Sequence, residues 1–92
     1  MIDMEVPKLG DVVYSKNGRF KGECFVVIGI DGDYVYMSNG KQRKMDSPKK
    51  KKIKHLTLGI GHSDHIGEKL EKEVKVTNNE LRITLSKYME EE

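Results

Sequence analysis

The sequence predicts a mainly β protein, in which a small five-stranded barrel is followed by a short two-helix C-terminal extension. Residues 9–56 alternate short runs of β-branched and aromatic residues with glycine-containing turns, and helix signals are missing there. Five short strands at this spacing are typical of a small barrel, which removes most exposed sheet edges. After this segment the pattern changes to helix caps followed by apolar residues at helical spacing.

The first three predicted strands are separated by glycine turns. Residues 11–16 are β-branched and aromatic, and they end at Asn17-Gly18, where glycine permits the positive φ of a tight loop. Residues 25–30 are apolar on both faces, which indicates a central strand in a curled sheet. The turn at residues 31–33 then leads into a third strand at residues 34–37.

Two further strands complete the predicted barrel. Asn39-Gly40 is a strong hairpin signal, so we expect the fourth strand at residues 41–45, ending before Pro48. Residues 52–56 form the predicted last strand, with Ile53 turned inward and the neighbouring lysines outward.

The change of pattern sets the predicted domain organisation. Residues 1–57 form the barrel, and residues 58–92 form a linker and the C-terminal helical extension, with Gly59-Ile60-Gly61 as a hinge. Ser63 is the expected cap of a first helix that reaches about Glu73. A second helix starts from the capping box of residues 77–80, and its apolar residues recur at helical spacing: Leu81, Leu85 and Tyr88.

Positive charge is concentrated in one segment. The net charge is +2, yet residues 41–54 contain eight lysines and arginines and one acid, Asp46. A basic block in an otherwise mildly acidic chain favours polyanions, of which RNA and DNA are the commonest in the cytosol. No apolar run approaches the roughly 18 residues that span a bilayer. With one cysteine and no secretory pattern, we expect a soluble cytoplasmic protein that binds no membrane and is monomeric when free.

A glycine-and-base loop in front of an apolar strand carries a family resemblance. Residues 10–22 end with Lys21-Gly22, and the sequence resembles the KOW motif, in which a basic loop and a required glycine join two strands. The segments "KIKHL" at 52–56 and "VTNNELR" at 76–82 make the chain similar to bacterial KOW-domain RNA-binding proteins related to the fourteenth large-subunit ribosomal protein of archaea and eukaryotes. The resemblance implies an SH3-like barrel that binds RNA, with Gly22 as the motif glycine.

The candidate RNA-binding residues lie in two groups, the first loop and the basic block. Glycines at 18 and 22 let the loop turn sharply and bring backbone N–H groups close to a phosphate. Phe20 either packs over the end of the barrel or stacks on an unpaired base. The lysine run 49–52 is a phosphate-tracking loop, a nuclear-localisation patch or a solubilising run, and phosphate contact is favoured. The candidates are Lys16, Asn17, Gly18, Arg19, Phe20, Lys21, Lys41, Arg43, Lys44, Lys49, Lys50, Lys51, Lys52 and Lys54.

Metal binding and catalysis are not predicted. His62 and His65 lack a matched second pair of ligands, which argues against a structural zinc site. Cys24 lies within an apolar strand, where a thiol is usually buried and inert, and no nucleophile–base pattern is present. We therefore expect a non-enzymatic protein without cofactors.

Two functions from different classes remain open. The favoured one is an RNA-binding protein that acts on structured ribosomal RNA or on the ribosome. The alternative is an SH3-like protein-docking module in a transcription or translation complex. Such a module would use an apolar groove, with residues 68–73 as a further candidate contact, and its binding would depend weakly on salt. A third possibility, compatible with both, is that the acidic helices fold over the basic block and regulate access to it.

Overall fold

The computed structural model describes residues 6–89 and contains a five-stranded sheet followed by two helices, which confirms the mainly β class. Within these residues, neither helix has the length and apolar character needed to cross a membrane. The elements are β1 (Asp11–Ser15), β2 (Cys24–Asp31), β3 (Tyr34–Ser38), β4 (Lys49–Lys52), a 3₁₀ turn (Ile53–His55), β5 (Leu56–His62), α1 (Asp64–Glu71) and α2 (Asn78–Met89).

The strands form one antiparallel sheet in the order β4-β3-β2-β1-β5. The first three strands lie where the sequence predicted them, and β2 is central as expected. The sheet is open, because no ladder joins β4 to β5 in the part of the chain that the structure describes. The sheet thus has five strands, but hydrogen bonds do not close them into a barrel.

The inner face of the sheet has its own core, and no helix contributes to it. Phe25, Val27 and Val35 are fully buried, although only strands, the first loop and the 3₁₀ turn surround them. Such burial requires the sheet to curl around its own side chains. The other residues of this core are Val13, Met37 and Leu56, with Phe20, Ile53 and Leu58 packed against them.

The outer face of β1 and β2 is covered by the helices. Val12, Cys24 and Val26 are buried there against four residues from α1, α2 and the segment between them: Ile66, Val76, Leu81 and Leu85. The C-terminal segment thus forms one side of a hydrophobic core, and β1 and β2 form the other. No ion pair among the described residues joins an acid of the helices to a cation of residues 41–54. The arrangement gives no support to helices folded over the basic block.

Both helices begin at the predicted caps. The Ser63 hydroxyl accepts a hydrogen bond from the first turn of α1. Thr77 and Glu80 form a reciprocal capping box at the start of α2, with bonds of 2.9 and 3.1 Å. The Glu80 carboxylate also accepts hydrogen bonds from Lys69 at 2.7 Å and His65 at 3.0 Å. These donors, Lys69 above all, lower the pKa of Glu80 to about 2.

The predicted fourth strand at residues 41–45 is wrong, because Asn39 organises a wider loop instead of a tight hairpin. Its side-chain oxygen accepts hydrogen bonds from the backbone N–H groups of Lys41 at 2.9 Å and Arg43 at 3.0 Å. The Met45 N–H donates to the side chain of Asn78 in α2 at 2.8 Å. With its amides bonded in this way, the loop does not pair with β3.

The predicted last strand and hinge are also wrong. Residues 53–55 form a 3₁₀ turn, although Ile53 does pack inward as expected. Residues 59–61 belong to β5, which pairs with β1 as far as His62. The boundary predicted after residue 57 therefore falls inside a strand. Gly61 is needed there because a side chain at this position would collide with the ring of Tyr88.

Candidate nucleic-acid interface

The loop between β1 and β2 is turned by backbone hydrogen bonds and by two glycines with positive φ, Gly18 and Gly22. The Gly22 N–H donates to the Ser15 carbonyl at 2.8 Å, and Lys21 N–H donates to the Gly18 carbonyl at 3.2 Å. Gly22 has a φ of +87°, and a Cβ there would meet no atom within 4 Å. The requirement for glycine is therefore conformational. Six loop residues are exposed to solvent: Lys16, Asn17, Gly18, Arg19, Lys21 and Gly22.

Phe20 connects this loop to the inner core. Its ring packs edge-on against Phe25, with centroids 5.6 Å apart and an interplanar angle of 81°. The guanidinium carbons of Arg19 and Arg43 lie 6.0 and 5.8 Å from the Phe20 centroid. Phe20 thus has the packing role that sequence reasoning gave as one alternative. It also brings together two cations that are far apart in the sequence.

The lysine run is a strand and not the predicted loop, whereas its contact with phosphate stays a prediction. Residues 49–52 form β4 and pair with β3 at one edge of the sheet. Lys49 and Lys51 lie opposite Met37 and Val35, which are buried in the inner core. Since side chains alternate along a strand, Lys50 and Lys52 belong to the outer face. Lysines on an edge strand also discourage pairing between sheets, an explanation that sequence reasoning missed.

One inner-face lysine reaches the first loop. The Lys51 ammonium donates to the Asn17 carbonyl at 3.2 Å. The Lys16 N–H donates to the His55 carbonyl at 2.8 Å, which places the 3₁₀ turn beside the same loop. The fold therefore gathers cations from three separate segments at one end of the sheet. We call Arg19, Phe20, Arg43 and Lys51 the loop-end cluster.

Other predicted residues lie elsewhere. Lys41 lines a groove of about 630 Å³ between the first loop, the 39–42 loop and α2, and Lys21, Lys44 and Lys54 are exposed to solvent. Sequence reasoning missed Arg82, which also lines this groove and donates to the Gly40 carbonyl at 2.6 Å. No local motif indicates this contact, because its partners are distant in the sequence.

The residues considered for metal binding or catalysis have structural partners. Cys24 is buried, and this burial raises the pKa of its thiol. The His62 ring lies between the carboxylates of Asp11, at 2.7 Å, and Asp64, at 3.2 Å, while His65 lies in the first turn of α1. Within residues 6–89, no group of three or more histidines, cysteines and acids is arranged to hold a metal ion.

The loop-end cluster has the chemistry of an anion site. Its two arginines and Phe20 line a cleft of about 410 Å³ together with Gln42 and Glu23, and Glu23 is the one acid in this lining. Guanidinium groups donate to phosphate through several N–H groups at once.

Comparison with known proteins adds no assignment, because neither a family model nor a curated protein matches the chain. A function must therefore be inferred from this chain's own residues.

Proposed function

We propose that this protein is a non-catalytic, cytoplasmic RNA-binding protein that binds structured ribosomal RNA or the ribosome. The observation that carries the proposal is the loop-end cluster, in which Arg19 and Arg43 flank one aromatic ring and Lys51 reaches the same loop. Like charges held together repel one another, and a polyanion both relieves this repulsion and releases its own counterions. Ordinary solubility does not require cations to be gathered in this way.

The expected mode of binding is recognition of RNA shape. An A-form helix presents phosphates and 2′-hydroxyls to a protein, while its base edges in the deep major groove are hard to reach. A loop fixed to a packed core positions its donors before RNA arrives, so less ordering is required on binding. Specificity would come from RNA tertiary structure.

The resemblance to the KOW family fits several features of the molecule. The motif glycine, Gly22, has the positive φ that only glycine adopts without strain. The sheet curls around Phe25 without a covering helix, and the fifth strand returns to pair with the first. On this basis we interpret residues 6–62 as an SH3-like barrel with an incompletely closed seam between β4 and β5.

The salt dependence of RNA binding tests the proposal. Wild-type protein, the Arg19→Gln/Arg43→Gln variant and a Lys72→Gln/Lys75→Gln control are titrated against structured ribosomal RNA fragments across a salt series. The control removes the same charge from exposed positions away from the cluster. Each lost phosphate contact should reduce the slope of log K against log salt by about 0.7–0.9, so the arginine variant should lose about 1.4–1.8.

The control separates local contacts from net charge. Wild-type binding with a steep slope, reduced in the arginine variant and nearly unchanged in the control, would support the proposal. Equal slopes in both variants would show that the cluster is not the interface. Absence of binding in the wild-type protein would overturn the RNA-binding function itself.

A protein-docking module in a transcription or translation complex is the second candidate, and one observation favours it. The 630 Å³ groove presents apolar surface from the half-buried rings of Tyr14 and Tyr88, as a peptide-binding groove would. It is lined by α2 and not by the acidic residues 68–73. Ribosomal or transcription proteins would be its partners. Binding to such a partner that is insensitive to salt and lost on Ser86→Arg, which fills the groove from an exposed position, would favour this function.

A further inference from the structure

The outer face of β3 and β4 carries two aromatic rings and two cations side by side. Tyr34 pairs with Lys52, and Tyr36 pairs with Lys50. The residues between them on β3 and β4 are directed to the inner core, since Val35 is fully buried there. The two tyrosines and two lysines therefore share the solvent side of the sheet. We call these four residues the outer platform.

Contacts within the outer platform fix the positions of its rings. The Lys50 ammonium lies 4.9 Å from the centroid of Tyr34 and 5.7 Å from that of Tyr36, and the Lys52 ammonium lies 5.8 Å from Tyr34. Tyr36 lies over Gly29 of the neighbouring strand, where an added Cβ would come within 3.2 Å of the ring. The ring thus lies close against the backbone of β2.

The helices leave the outer platform open. They pack on Val12, Cys24 and Val26, and the cluster beneath them includes residues of β1, β2 and β5 but, within residues 6–89, none of β3 or β4. Tyr34 retains 36% of its exposure, and Tyr36 is half-buried. An exposed aromatic ring flanked by cations has two attractive interactions for a nucleotide, one with the base and one with the phosphate.

We propose that the outer platform binds an unpaired RNA nucleotide, with the base stacked on Tyr34 or Tyr36 and the phosphate held by Lys50 or Lys52. This inference rests on the proposed RNA-binding function and identifies a second contact region for it. Lys50 also lies 3.9 Å from the Asp31 carboxylate. Stacking of a base on Tyr34 displaces the ammonium from the ring, and the freed ammonium then pairs with phosphate. The exchange is favourable because stacking is the stronger of the two contacts at an exposed ring.

The position of the platform indicates the kind of RNA that fits. The loop-end cluster includes Lys51, on the inner side of β4, while the platform includes Lys50 and Lys52 on its outer side. An RNA that contacts both regions must pass around the β4 edge. A helical element followed by an unpaired segment has this shape, because only single-stranded RNA bends sharply enough and exposes its bases.

Two RNA probes and two double variants test the platform. The probes are a labelled oligouridylate, which is single-stranded, and a fully paired RNA hairpin of the same length. Tyr34→Leu/Tyr36→Leu removes the rings, and the matched control Tyr34→Phe/Tyr36→Phe retains them. We expect the leucine variant to bind oligouridylate about 10- to 100-fold more weakly and the hairpin with unchanged affinity, while the phenylalanine variant resembles wild type.

The outcomes separate the platform from the wider proposal. Unchanged oligouridylate affinity in the leucine variant, with wild-type RNA binding intact, would overturn the platform alone. Wild-type protein that binds neither probe would overturn the RNA-binding function and the platform together. If the leucine variant does not fold, proton NMR of the wild-type tyrosine rings tests whether a base stacks on them. Upfield ring shifts on addition of oligouridylate support stacking, and unshifted ring signals at saturation contradict it.

Discussion

A pair of glycine substitutions measures how tightly α1 rests on the start of the sheet. Gly10 and Gly22 both have positive φ, +91° and +87°. A Cβ at Gly22 meets no atom within 4 Å, whereas one at Gly10 would lie 2.7 Å from the Ser63 carbonyl oxygen and 2.8 Å from the backbone of Gly67. Alanine at either position suffers the same backbone strain, but only at Gly10 must α1 also move.

The expected magnitudes follow from these two effects. A left-handed alanine costs about 1–2 kcal/mol, of which about 0.4–1 kcal/mol is offset by the lower entropy of the unfolded chain. Gly22→Ala should therefore destabilise by about 0.5–1.5 kcal/mol. Forcing a methyl group into packed backbone adds about 1–3 kcal/mol at Gly10. For a domain of this size, each kcal/mol lowers Tm by about 4–8 °C.

Urea unfolding followed by far-ultraviolet circular dichroism measures both variants. The midpoint and the slope m together give the free energy of unfolding, provided that m is unchanged. We expect the Gly10→Ala midpoint to fall well below that of Gly22→Ala. Equal midpoints would refute the close contact of α1 with residues 9–10, and an unaltered midpoint in Gly22→Ala would refute the strained conformation at the motif glycine.

Two further predictions concern the ionisable groups. Because the pKa of Glu80 is lowered to about 2, its contribution to stability is full above its ordinary pKa of 4.5 and is lost as the pH falls towards 2. The difference in urea midpoint between wild type and Glu80→Gln should therefore shrink from pH 5 to pH 2.5, and a constant difference would contradict it. Because Cys24 is buried and the pKa of its thiol is raised, Ellman's reagent should label the native protein far more slowly than the urea-unfolded chain; rapid native labelling would show an open site.

Local patterns predicted the elements whose signals lie within a few neighbouring residues. The capping box at Thr77 and Glu80 and the apolar β2 strand are of this kind, and both are confirmed. The Asn39-Gly40 signal failed because Asn78 and Arg82, which are distant in sequence, hold the following loop in another conformation. A hairpin rule cannot include partners from a helix that follows 40 residues later.

The candidate site was predicted in composition but not in arrangement. Four consecutive lysines show no alternation of polar and apolar residues, and lysine is depleted in strands, so β4 left no period-two signal. Its division into an inner and an outer pair becomes visible only from its register with Val35 and Tyr36. The same register shows that Tyr34 and Tyr36 lie on the outer surface of the sheet, whereas their residue type alone favours packing in a core.

The position of β1 between β2 and β5 has a consequence for the order in which the chain folds. Ser15 pairs with Leu56, and the Tyr14 hydroxyl donates to the Tyr88 carbonyl at 3.2 Å. The first strand to be synthesised therefore waits for nearly all of the described chain before its contacts are complete. Until then one edge of β1 and the apolar side chains beneath α2 are exposed to non-native partners. A topology dominated by such distant contacts folds slowly and leaves its apolar surface exposed for longer.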